Sequence, residues 1–274
     1  MRKQVRQITL AAIVAVSAAL IAGCSAASGQ SQGGGAVPRT SDNKPDFTGI
    51  WQAMNTANWD LQAHAARKGP VVALGAQFSV PAGLGVVEGN EIPYLPAALA
   101  KKQENAANWS RDPEIKCFMP GVPRMVYMPY PIQIAQGRDN ILMATEFASA
   151  SRTIRFNTTE KSPYPAWMGW NVASWDGDTL VIDVTDQMEE TWFDRVGNYH
   201  SDELHVVERL SYIDRNTINY EATIDDKKVY SRPWKIVMPL YRHQEKDAHL
   251  LEYKCVEFAE EIMYGHLRKP NTTR

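Results

Sequence analysis

His200, Asp202, His205, Glu208 and Arg209 crowd one short stretch of this chain. A histidine titrates near neutral pH, and beside a carboxylate it can take and return a proton. His205 with Asp202 or His200 is therefore the candidate acid–base pair, with Glu208 and Arg209 as candidate substrate contacts. Strand alternation puts His205 and Arg209 on one face and Glu208 on the other. His200 and Asp202 sit at the strand mouth and reach His205 only if the preceding loop folds back. The cluster also reads as structural polar pairing or as a metal site. However, one strand face offers only His205, and the spacing matches no standard ligand pattern, so no metal is expected.

Arg152, Arg155 and Glu146 form a second charged group on neighbouring strands. They read either as a cross-strand ion pair, worth under about 1 kcal/mol if exposed, or as an anion clamp for a carboxylate, with Arg155 and Glu146 as candidate substrate contacts. Aromatic residues are dense nearby: Trp167, Trp170, Trp175, Trp192, Phe193 and Tyr199 fall within 33 residues. Core packing accounts for most such residues. Aromatics around a cavity with a few polar groups would instead receive a ring-containing ligand. Trp192 and Asp194, in the long loop before His200, are the ones expected to reach such a cavity. The chain has no Gly-x-Ser-x-Gly elbow, phosphate loop, dinucleotide fingerprint or His-Glu-x-x-His, so no cofactor is expected.

The elements that must hold these residues are mostly strands. From Ile132 onward, runs of Ile, Val, Tyr, Thr and Leu alternate with polar turns. Asp139-Asn140-Ile141, Asp178-Thr179-Leu180 and Asn216-Thr217-Ile218 recur at spacings of 39 and 38 residues, each opening the second strand of a hairpin. His249-Leu250-Leu251 reads as a fourth instance. In 217–225, Ile218, Tyr220, Ala222 and Ile224 share one face and polar residues the other, which makes a sheet buried on one side. The expected fold is mainly β, an antiparallel meander forming a barrel or sandwich, with one or two helices in the N-terminal half. Residues 96–109 open with Pro and continue with good helix formers. Residues 59–68 carry a weaker helical stripe. Five prolines between 113 and 131 exclude a long helix there.

The N-terminus carries Arg2, Lys3 and Arg6, an apolar run over 8–22, and Ala22-Gly23-Cys24. This is a signal-peptide pattern, too short for a comfortable membrane-spanning helix. It resembles the lipobox of bacterial lipoproteins, which implies cleavage before Cys24, lipidation of Cys24 and attachment to a membrane. Ser25 in the sorting position implies the outer membrane, facing the periplasm. The expected organisation is a signal peptide over 1–23, a flexible tether over 24–45, rich in Ser, Gly and Gln, and one mainly-β domain over 46–274.

The 29 Lys and Arg, less Arg2, Lys3 and Arg6, against 31 Asp and Glu give a mature net charge of about −5. No basic patch follows, so nucleic acid is not an expected partner. With Cys24 lipidated, Cys117 and Cys255 remain, and in an oxidising compartment an even pair reads as a disulfide. A free buried pair or half a metal site are the competing readings, the latter weakened by the absence of any Cys-x-x-Cys.

Two blocks carry a wider resemblance: Trp167-Met168-Gly169 leading into Trp175-Asp176-Gly177-Asp178-Thr179-Leu180-Val181-Ile182-Asp183, and His200-Ser201-Asp202-Glu203-Leu204-His205-Val206-Val207-Glu208-Arg209. With Cys117 to Arg124, Pro233-Trp234 and Glu252 to Cys255, they resemble a large, poorly characterised family of exported bacterial proteins, over most of 46–258. That resemblance implies no activity. Gly49-Ile50-Trp51 is similar to the Gly-x-Trp opening of lipocalin-like barrels, which bind small apolar molecules. The expected function is a lipid-anchored envelope protein binding a small, largely apolar or ring-containing molecule. The alternatives are a cofactor-free lyase, isomerase or hydrolase using a His/Asp pair, and an envelope assembly or structural lipoprotein whose protein partner the sequence does not name.

Overall fold

The computed structural model describes residues 35–268. Nine strands run in chain order around a closed barrel: β1 (Gly49–Ala53), β2 (Ile132–Gln136), β3 (Asn140–Thr145), β4 (Ser151–Phe156), β5 (Trp170–Asp176), β6 (Thr179–Thr185), β7 (His205–Asp214), β8 (Thr217–Asp225) and β9 (Trp234–Arg242). The expected mainly-β fold is what forms, and closure removes the sheet edges that an open meander would expose.

Nine is an odd number, and this decides the geometry. Strands joined in order around a ring can alternate up and down throughout only if their number is even. One neighbouring pair must therefore be parallel, and it is β4 with β5, in the register Ile154 to Asn171, Arg155 to Val172 and Phe156 to Ala173. A hairpin cannot join parallel strands; the chain has to travel back along the barrel wall first. Residues 157–169 make that crossover. Pairing of β4 with β5 begins only at Ile154, so Ser151–Thr153 of β4 have no strand beside them there.

Three of the expected hairpins form, β2–β3, β5–β6 and β7–β8. Residues 249–251 make no strand, so the fourth repeat unit does not exist. Among the helices, α1 (Pro96–Ala107) falls where the sequence places it. Residues 59–68 are turns and bridges, because His64 and Arg67 exchange backbone hydrogen bonds with Gly83 and Val80 instead. A single helical turn, α2 (Arg124–Tyr127), and a C-terminal helix, α3 (Ala259–Arg268), complete the described α-helices, and short 3₁₀ turns punctuate the connections. No helix among the described residues is long and apolar enough to cross a membrane.

The barrel is filled. Ile132, Ile141, Ile154, Ile182, Val206, Leu210, Ile218, Tyr220, Ala222, Ile224, Ile236 and Leu240 have no accessible surface at all, so no water-sized void touches them. These residues leave no ligand cavity inside the barrel, so a small-molecule site has to be a cleft outside it. The tight turns lie at one end, where residues 38–46 pack rather than hang free as tether. There Arg39 pairs with Asp178, and Gln136 bonds both Phe47 N–H and Pro45 carbonyl. The long connections gather at the other end around a buried charge cluster. The Arg124 guanidinium meets Asp112 through two bonds of 2.8 Å and Glu114 at 2.9 Å, and Arg195 links Glu114 to Glu260 of α3. Cys117 and Cys255 form the expected disulfide, across 138 positions of sequence.

Candidate functional site

The barrel core contains one ion pair, and it reaches toward the crossover. Arg152 on β4 points inward and meets Glu208 of β7, Nη1 to Oε2 at 2.5 Å and Nη2 to Oε1 at 2.9 Å. Tyr220 donates its hydroxyl to Glu208 Oε1 at 2.7 Å. Burial alone would lower the Arg152 pKa, but the Glu208 charge outweighs it and holds it above its ordinary value. Burial, with Glu208 adjacent, keeps the Tyr220 hydroxyl protonated far beyond its usual range. Arg152 Nη1 also donates to Asn171 Oδ1 at 2.9 Å, and Asn171 Nδ2 donates to the carbonyls of Met168 and Gly169. A chain of hydrogen bonds thus runs from the barrel centre to the point where the crossover becomes β5. Gly169 makes this junction, at φ +63°. A Cβ there would lie 2.8 Å from the Thr185 carbonyl oxygen and 2.8 Å from a Val184 methyl, so only glycine fits.

Between the crossover and the open stretch of β4 lies a cleft of about 450 Å³. Its floor is Ser151, Arg152, Thr153 and Asn171, and its walls carry Pro163, Tyr164, Pro165, Trp167 and Trp170, with Met119 and Met188 at the rim. Trp167 is held from behind by Phe118, stacked at 4.7 Å and 13°. Phe118 follows the disulfide-bonded Cys117 directly, so the disulfide fixes the support of this wall. The Arg155 guanidinium lies 4.5 Å from the centre of the Trp170 ring. This arrangement offers flat aromatic surface and a cation, which suits a small ring-bearing ligand.

The sequence cluster at 200–209 does not converge. His205 lies on the outer face, about half exposed, and its Nε2 is 2.9 Å from Asp183 Oδ2 on the neighbouring strand. Asp202 pairs with Lys228 at 2.7 Å, and that hydrogen bond lowers its pKa. His200 is fully buried. Its Nδ1 donates to the Ser201 carbonyl at 2.8 Å, and Nε2 sits 2.6 Å from Thr191 Oγ1. A carbonyl can only accept, so the proton is on Nδ1 and Nε2 accepts from Thr191. Burial pushes the His200 pKa down to about 4, so the ring is neutral. No hydrogen bond joins any two of His200, Asp202 and His205, because each is already paired with a residue the sequence cluster did not contain.

Two expected substrate contacts are internal instead. Glu208 is the partner of Arg152 and has no accessible surface. Asp194 is equally buried. It accepts from the Leu61, Val196 and Asn198 backbone N–H groups and from Asn198 Nδ2, and burial together with nearby Asp60 raises its pKa to about 6. Trp192 packs into the core, its carbonyl accepting from Arg124. Neither Trp192 nor Asp194 lines the cleft, which corrects the expectation for both. Arg209 pairs with Asp176 at 2.6 Å on the outer surface. Glu146 accepts from the Leu251 N–H at 2.7 Å, so it forms no clamp with Arg152 or Arg155. Arg155 alone of the expected substrate contacts lines the cleft. The residues that reasoning from sequence missed as a site are Tyr164, Trp167 and Trp170. The signal was present, since all fall in the Pro-rich and aromatic stretch between two strand patterns.

Neither a protein-family model nor a curated protein matches this chain. Cys24 lies outside the described residues.

Proposed function

We propose that this is a lipid-anchored protein of the cell envelope, held at the outer membrane through Cys24, that binds a small ring-containing molecule in the cleft between the crossover and β4. The observation that carries the reading is the cleft itself: about 450 Å³ walled by Tyr164, Trp167 and Trp170 with two prolines, beside the stretch of β4 that β5 does not cover. The volume falls in the range of small-molecule sites. The disulfide braces one wall of the cleft and the Arg152–Asn171 hydrogen bond its floor, so the site is set before a ligand arrives, which lowers the ordering cost of binding. Acid–base catalysis by His205 has no support from geometry, since its partner Asp183 sits with it on the exposed outer face.

Native mass spectrometry of the protein exported to an oxidising periplasm tests this. The expected result is an organic mass that is released on denaturation and is absent from a Trp167→Ala variant with an intact disulfide. The same mass retained by Trp167→Ala, or a bare mass after incubation with millimolar ring compounds, contradicts it.

A further inference from the structure

The cleft is lined by two arginines and by no aspartate or glutamate. The two cations are not equivalent. Arg152 is neutralised by Glu208 inside the barrel. The Arg155 side chain has neither an ion pair nor a hydrogen bond among the described residues, and its guanidinium lies against the Trp170 ring. Arg39, Arg67, Arg111, Arg124, Arg195, Arg209 and Arg232 each face a carboxylate; Arg155, like Arg138, Arg215 and Arg242, has none among the described residues, and of these four only Arg155 lines the aromatic cleft.

Two further donors are unpaired. Trp170 Nε1 and Arg152 Nε are buried and find no acceptor among the described residues, and both belong to residues that line the cleft. Arg152 is more than nine-tenths buried. A buried N–H without an acceptor is costly, and such groups are rare in native structures unless something else supplies the acceptor. The cleft therefore has one uncompensated positive charge beside flat aromatic surface. Its polar demand is for oxygen acceptors, and a negative charge is the complement of the site.

We propose that the ligand of this cleft is a planar aromatic monocarboxylate, its ring against Trp170 and Trp167 and its carboxylate paired with Arg155. A guanidinium meets a carboxylate through two parallel N–H···O bonds, so Arg155 fixes orientation as well as charge. A single free cation matches a single negative charge. The inference rests on the cleft being a ring-binding site, as proposed above, and adds the charge of the ligand.

The test follows the indole N–H resonances of the 15N-labelled exported protein during titration with 2-naphthoate and, separately, 2-naphthylmethanol, which keeps the ring and lacks the charge. The expected result is that naphthoate shifts the Trp170 and Trp167 signals and binds at least tenfold more tightly than the alcohol. That advantage should shrink in 1 M NaCl and vanish in Arg155→Gln, while Arg155→Lys retains part of it. The remaining indole signals report that the variants stay folded. Equal affinity for the two probes, unaffected by salt or by Arg155→Gln, overturns the anion inference and leaves the ring site standing. No shift of either indole by either probe at millimolar concentration overturns both.

Discussion

Arg152 and Glu208, 56 positions apart in sequence, meet inside the closed barrel with neither side chain reaching water. Removing two charges from water is expensive, and a buried pair seldom adds net stability over apolar side chains of the same size. What this pair does instead is hold Asn171, and through it the carbonyls of Met168 and Gly169, where the crossover enters β5. Its role is to place the cleft wall.

Glu208→Gln removes the charge but little volume and leaves Arg152 buried and uncompensated. It should cost about 3–5 kcal/mol, read as a lowered urea midpoint. Replacing both residues, Arg152→Met with Glu208→Leu, should recover most of that loss. The double variant should still bind ring compounds more weakly, because Asn171 has lost the donor that oriented it.

Opening the Cys117–Cys255 bond frees a loop of 138 positions. In the chain-entropy picture this costs about 5 kcal/mol. Cys117→Ser should therefore unfold at much lower denaturant, and Cys255 should become open to alkylation. Alkylation of Cys255 in the unreduced parent protein would contradict the pairing.

His200 sets an acid limit. Its pKa is about 4 in the folded protein and near 6.5 in the unfolded chain. The unfolded state therefore takes up the proton first as pH falls. The contribution of His200 is complete above about pH 6.5 and shrinks down to about pH 4, by roughly 3 kcal/mol. The parent's stability, measured relative to a His200→Gln variant, should fall by that order between pH 7 and 4. A constant difference across the range would mean that the ring is not held neutral.

Gly169→Ala puts a methyl against the Thr185 carbonyl in a left-handed backbone conformation. The expected loss is about 1–3 kcal/mol, by thermal unfolding, together with weaker ring binding. Gly177→Ala is the control. It also has positive φ, but open space where the Cβ would be, and it lies at the far end of the barrel, so it should lose some stability and no binding.

Much of the barrel was legible because its signals are local. The alternation of Ile218, Tyr220, Ala222 and Ile224 and the Asp-Gly turn before Asp178 name strands and hairpins without reference to anything distant. The disulfide followed from compartment and count. The site was harder to read. Asp183 lies 22 positions before His205 and Lys228 lies 26 after Asp202, and only the strand and loop registers bring each pair together. The parallel β4–β5 pair was hidden because its crossover has no helical pattern and reads simply as loop. That an odd ring requires such a pair becomes apparent only once β1, far upstream, is counted into the barrel. Glu208 read as a substrate contact within a polar cluster; its true partner, Arg152, sits on a strand that no sequence spacing connects to it. The helix α3 carries only a short apolar stripe, Ile262, Met263 and Leu267, and this stripe remains exposed.

The most direct test of the account is a crystal structure of the exported protein soaked with naphthalene-ring fragments. The account predicts ring density in the cleft, against Trp167 and Trp170 and within reach of Arg155, with the barrel interior unchanged. Fragments bound only elsewhere, or a cleft closed by Trp167 and Tyr164 packing onto β4, would contradict it.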